Sequence, residues 1–186
     1  LNLDADNSGT PERVQVGAAT AVRFGRLRLG NAYGPVTQGL QIPLETQYWN
    51  GSGFARNADD SCTTLDRAHI ALSAYTLSLN ACETAVNEAS IALSGGQASL
   101  TLAAAGATAG TDNVGTVLLT PLLGAAGAEM YCPAKGGTET GASSAGRAYL
   151  QGRWTGAAWN ENPSARATFG LYGSQPKNFI FFRENY

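Results

Sequence analysis

The residues best placed to do chemistry stand at the start of the chain. Asp4, Asp6, Ser8, Thr10 and Glu12 alternate around Gly9 in Asp4-Ala-Asp6-Asn-Ser8-Gly9-Thr10-Pro-Glu12. This is the first half of a calcium loop: alternate side chains converge on one hard cation, and the glycine makes the sharp turn. Asp4, Asp6 and Ser8 would supply side-chain oxygens, Thr10 its carbonyl, and Glu12 a ligand directly or through water. Gln15 stands where an EF-hand carries its bidentate Glu. Two firm carboxylates therefore predict weak binding, at about 10⁻⁴–10⁻³ M. The same residues also suit an Asx-turn-rich leader that holds no metal. Asp59-Asp60 offers two more carboxylates, though adjacent acids usually mark a solvated turn.

Catalytic chemistry finds less support. His69 is the single histidine, no G-x-S-x-G elbow is present, and neither phosphate-binding glycine motif occurs. Glu45, Asp59, Asp60, Asp66, Glu129, Glu161 and Glu184 could serve a glycosidase only if two faced each other at about 5–10 Å, and none lies in a motif that says so. The expectation is a protein that is not an enzyme. For ligand binding, aromatic side chains are the better candidates. Trp159 leads, because a tryptophan in a loop has no strand neighbour to stack on, and Trp49 follows. Both could lie against sugar rings, as could Tyr33, Tyr48, Trp154 and Tyr172.

The cysteines are Cys62, Cys82 and Cys132, so at most one internal disulfide forms. Cys62–Cys82 is the expected pair, since each sits beside a predicted strand end. Its loop of about 20 residues would stabilise by roughly 3 kcal/mol. Cys132 would be free or would pair between chains, and three reduced thiols is the alternative.

These groups need a scaffold. With 186 residues, one sizeable domain can bury a proper core. Only 14% of residues are charged, 23 are glycine, and the net charge is −2, so no overall basic field draws nucleic acid. No apolar run is long enough to span a membrane. Residue 1 is Leu, and no basic segment with an apolar core follows it. The expectation is a fragment or processed product whose export signal lies upstream.

Periodicity reads as short strands. Residues 1–19 form a turn-rich leader, and residues 20–186 one domain. Val22 and Phe24 have opposite parity to Leu27 and Leu29, which predicts a β-bulge at Gly25–Arg26 with Arg26 and Arg28 outward. Residues 40–49 alternate cleanly, with Pro43 asking for an edge or non-bonded site. Asn50-Gly51 predicts a type I′ turn, with Phe54 opening the return strand. Residues 68–79 suit a strand with a break near Tyr75, and 82–89 a minor helix. A second hairpin turns at Gly95-Gly96. Residues 114–119 read as a strand buried on both faces, 123–146 as loop, and 147–154 as a strand. A last hairpin joins 165–172 to 178–184, whose aromatic residues should be covered. About nine strands and no repeated helix predict an all-β antiparallel β-sandwich of the Ig-like or jelly-roll type. Activity would then lie in the loops 1–13, 55–66, 123–146 and 155–163.

Several blocks in this order resemble the C-terminal domain of the MshQ-like proteins of bacterial type IV (MSHA) pilus biogenesis. They are Gly25-Arg-Leu-Arg-Leu29, Asn31-Ala-Tyr-Gly34, Pro43-Leu44, Tyr48-Trp49, Asp60-Ser-Cys62, Pro163-Ser-Ala-Arg-Ala-Thr-Phe-Gly170 and Arg183-Glu-Asn-Tyr186. The resemblance covers nearly everything after about residue 20 but not the Asp4–Glu12 leader. It implies a non-catalytic domain at the end of a large surface protein, outside the cell or on its surface. Its partners would be pilus or cell-surface proteins. No catalytic residue is attributed to that family, so none is carried over. A carbohydrate-binding module using Trp159 or Trp49, assisted by calcium, is the alternative expectation.

Overall fold

A computed structural model describes residues 23–108 and 110–170. Along the chain the strands are β1 (Gly25–Leu29), β2 (Ala32–Gly34), β3 (Leu40–Trp49), β4 (Phe54–Arg56), β5 (Thr64–Asp66), β6 (Ile70–Ser73) and β7 (Ser90–Ala92). They continue with β8 (Gln97–Leu102), β9 (Ala107–Thr108), β10 (Thr111–Asp112), β11 (Gly115–Pro121), β12 (Met130–Tyr131), β13 (Thr140–Gly141) and β14 (Ala165–Phe169). Two single-turn 3₁₀ segments, Arg67–His69 and Ala148–Leu150, are the helical content of the described residues. No helix there is long and apolar enough to cross a membrane.

The architecture is an all-β sandwich. In one sheet β3 is central: β1 pairs with it on one side, β8 and β4 on the other. The second sheet runs β2-β14-β11-β6. Alternation dictates what lies between them. Leu27, Leu29, Ile42, Leu44, Leu100 and Leu102 face inward from the first sheet; Ile70, Leu72, Val117, Leu119, Ala167 and Phe169 from the second. Period-2 patterning places each set on one face of its pleat.

The structure corrects several expectations. The β1–β3 register runs unbroken from Gly25↔Tyr48 to Leu29↔Leu44, so there is no bulge. The parity break is resolved another way: Phe24 shares the outward face with Arg26 and Arg28 and stays exposed. Residues 82–89 hold turns and an isolated bridge at Val86 instead of a helix. Residues 147–154 are a 3₁₀ turn and loop instead of a strand. β11 is fully buried on one face and only half-buried on the other. The β2–β14 pair is parallel in an otherwise antiparallel fold.

Turn chemistry is also redistributed. The type I′ role belongs to Gly95-Gly96, both at positive φ, where Ser94 and Gln97 exchange two backbone hydrogen bonds. Asn50–Gly53 forms a longer loop in which the Asn50 side-chain oxygen accepts from the Ser52 and Gly53 amides at 3.0 and 2.9 Å. Pro43 sits in the central strand, but on the flank where β1 has just ended. Its carbonyl accepts from Gly30 N at 2.9 Å on that flank, so its missing N–H breaks no ladder.

The disulfide joins Cys82 to Cys132, and Cys62 is free and exposed, so the expected Cys62–Cys82 pairing is overturned. The 123–146 loop causes this by folding back over the body of the domain, where Gly136 N donates to Cys82 O at 2.7 Å. Cys62 is held away in a turn capped by Asp60.

Candidate functional site

The outward face of the first sheet carries three successive cross-strand rows. Phe24, Trp49 and Phe54 form the first: Trp49 N donates to Phe24 O at 2.8 Å, and Trp49 stands opposite Phe54. Arg26, Gln47 and Arg56 form the second, and Arg28, Glu45 and Gln97 the third. Side chains opposite one another on neighbouring strands are close enough to interact, so the rows act as units.

The rings of the first row make a continuous cluster. Phe24 and Phe54 lie 5.9 Å apart, Trp49 and Phe54 5.4 Å, and Trp159 meets Phe24 edge-to-face at 5.1 Å. Such offset and edge contacts are the favourable aromatic geometries. Phe24, Trp49 and Trp159 nonetheless remain 51%, 47% and 53% exposed. Trp159 and Trp49, separate candidates in the sequence, thus belong to one surface. Phe24 and Phe54 complete it. Their signal was present in the sequence, as aromatic residues in phase with Trp49 on paired strands.

The second row is tightly tied. The Arg26 guanidinium sits 3.7 Å from the centre of the Phe54 ring and 4.6 Å from that of Trp154. Its Nε donates to Gln47 Oε1 at 2.8 Å, and Gln47 Nε2 donates to Glu45 Oε1 at 2.6 Å. This relay satisfies Gln47, which is buried although it points outward. Burial, with the charge of Arg28 added, holds Arg26 below the ordinary arginine value. Arg56 donates to Gln97 Oε1 at 2.7 Å.

The loop between Gly152 and Glu161 positions the two tryptophans. Those two residues exchange backbone hydrogen bonds at 3.0 Å. The Glu161 carboxylate then gathers the loop: it accepts from Thr155 N at 2.5 Å, from the Thr155 hydroxyl, and from Ala158 N at 3.2 Å. The side-chain and backbone bonds from Thr155 lead the effects that hold its carboxyl at about 2, against a small opposing effect of desolvation. A depressed carboxylate stabilises only while ionised, so its contribution is complete above about pH 4.5 and disappears as pH falls towards 2. We expect the loop to open over that window, seen as a change in tryptophan emission and loss of Thr155 amide protection. Glu161→Gln should show the opened signature already at neutral pH. An acid transition unchanged in Glu161→Gln would refute this role.

A cleft of about 750 Å³ adjoins the face, lined in part by Trp159, Phe24, Tyr149, Gln151, Asn57 and Asp59. Arg23 reaches into it, with Nη1 2.9 Å from Asn57 Oδ1 and 2.7 Å from Asp59 Oδ2, and its guanidinium over the Tyr48 ring at 4.5 Å. Asp60, expected in a solvated turn, is buried. Burial opposes its charge, but bonds from the Thr63 side chain and the Thr63 and Cys62 amides outweigh this. The nearby Thr46 hydroxyl helps, although it stops short of full hydrogen-bond geometry. Together they hold the carboxyl below its usual range. Asp60 is therefore a turn cap.

The remaining candidates are scattered. His69 accepts from Asp66 N at 3.0 Å through Nδ1 and closes a 3₁₀ turn. Glu129 binds the Gly127 amide. Asp4, Asp6, Ser8, Thr10 and Glu12 lie outside the described residues, as do Tyr172, Glu184 and the aromatic strand expected over 178–184. Among the described residues no group of three His, Cys, Asp or Glu side chains could hold a metal ion.

The fold and its outer face thus define an all-β sandwich domain with a solvent-facing surface of rings and arginines. The chain belongs to the family described as DUF6701, fourth domain, whose model matches residues 23–185. No curated protein and no solved structure matches it.

Proposed function

We propose that the domain is a non-catalytic extracellular module of a type IV pilus-associated protein of the MshQ-like kind, acting in pilus biogenesis or cell-surface adhesion. The exposed ring cluster of Trp159, Phe24, Phe54 and Trp49 carries this reading. Contiguous large rings left in water mark a surface that meets a partner. The Cys82–Cys132 bridge supports an oxidising compartment. In cells carrying Trp49→Ala/Trp159→Ala in the full-length protein, surface adhesion or pilus number should fall at least about tenfold. The domain should stay folded, because both rings are half exposed. Normal adhesion and normal piliation in those cells would overturn the proposal.

A second reading, a carbohydrate-binding module, is favoured by a specific observation. The two tryptophans share one surface with a largely apolar cleft whose lining includes the polar side chains of Asn57, Asp59 and Gln151. Flat rings beside planar amide and carboxylate groups suit the apolar faces and hydroxyl edges of sugars.

A further inference from the structure

We infer that the outer sheet face takes an acidic polysaccharide, a sugar chain bearing carboxylates, laid across its three rows; this rests on the carbohydrate-binding reading above. Three arginines, Arg26, Arg28 and Arg56, share the face with one carboxylate, Glu45. That is a local excess of positive charge on a chain whose net charge is −2. Among the described residues the ion pair within 4.0 Å is Arg23–Asp59, so none of the three face arginines is neutralised by a carboxylate there. Arg28 stands directly opposite Glu45, yet Glu45 is engaged by Gln47. Arg56 spends one donor on the neutral amide of Gln97.

The exposed guanidinium groups of Arg28 and Arg56 therefore keep planar donor pairs available, which match a carboxylate in two-point geometry. Arg26 is different: held between Phe54 and Trp154, it presents its charge from a fixed position without needing to be ordered on binding. A preorganised group loses less freedom when a ligand arrives. Along a strand, rows two residues apart are separated by about 7 Å, so three rows span about 14 Å. A short run of sugar rings covers that distance, with one end on Phe24, Trp49 and Trp159 and its carboxylates over Arg28 and Arg56. A peptide of acidic residues alone could use the arginines but has no rigid faces to place on the rings. The ring row therefore favours a sugar chain.

The test is binding of the full chain to immobilised alginate (a polyuronate), dextran (neutral) and poly-glutamate, at about 0.05 and about 0.5 M NaCl. Alginate should bind best at low salt and weaken at high salt. Arg28→Gln/Arg56→Gln should weaken alginate binding at least about tenfold, given the strength of hydrogen bonds to charged groups. Its melting temperature should be unchanged, since both side chains are exposed. Trp159→Ala should weaken alginate binding but not any residual poly-glutamate binding. Dextran binding as strongly as alginate and lost in Trp159→Ala would overturn the acidic ligand while leaving the carbohydrate reading intact. Poly-glutamate binding as strongly as alginate, or no effect of the arginine pair, would overturn the proposal. No wild-type binding to either sugar would overturn both readings.

Discussion

Removing the Cys82–Cys132 bridge should lower domain stability by about 4 kcal/mol. The bridge spans 50 residues, and closing a loop of that length restricts the unfolded chain by about this much in the chain-entropy model. Its Cα–Cα separation of 5.3 Å lies within the ordinary disulfide range. For a domain of this size the loss corresponds to roughly 8–16 °C in Tm. The measurement is thermal unfolding of Cys82→Ala/Cys132→Ala beside the wild type with and without reductant. Reductant should reproduce the variant's shift, while Cys62→Ser should leave Tm within about 2 °C, because Cys62 is exposed and unbridged. A large loss in Cys62→Ser, or a mapped Cys62–Cys82 peptide, would restore the other pairing.

Gly96→Ala should cost about 3 kcal/mol, from two separable causes. Gly96 has φ +74°, a conformation that Ala adopts only with strain of order 1 kcal/mol. A Cβ there would also stand 2.3 Å from Asn57 O and 2.8 Å from Asn57 C, so backbone must move, at overpacking costs of about 1–3 kcal/mol. The neighbour supplies the control. Gly95 has φ +57° but its nearest atom to a new Cβ would be Ala58 O at 3.8 Å. Gly95→Ala should therefore show only the conformational cost, about 1 kcal/mol. Denaturant unfolding of both variants reads the difference, and equal losses would disprove the clash. The displacement should also reach the cleft, because Gly96 accepts from Thr46 N and donates to Asp60 O, beside its Asn57–Asp59 wall.

Much of the scaffold was legible because alternation is a local signal. Leu40 to Trp49 alternate in the sequence and alternate in burial as far as Thr46, and Arg26 with Arg28 face outward as their parity required. What failed depended on partners distant in the chain. The bulge at Gly25 assumed that Phe24 must be buried; it is instead the centre of a ring cluster contributed by β4 and the 153–160 loop. The helix over 82–89 relied on weak propensity, and Cys82, bridged to Cys132, sits at a positive φ that no right-handed helix admits. Trp159 and Trp49 could each be nominated from the chain. That they share a surface required the β3–β4 register and the Glu161-gathered loop, neither of which leaves a periodic trace.

The parallel pairing of β2 with β14 has a consequence for how the domain comes into being. Ala32 aligns with Ala167, and Arg166 N donates to Asn31 Oδ1 across 135 positions of sequence. Contacts this distant slow folding, since the loop must be closed before any pairing energy returns. A chain emerging N-terminus first can complete the β3–β4 hairpin, and then the Cys82–Cys132 bridge, while the second sheet still lacks β14. β14, the last strand among the described residues, therefore acts as a latch on synthesis order. The second sheet stays open until residues 165–169 have arrived to pair with β2 and β11.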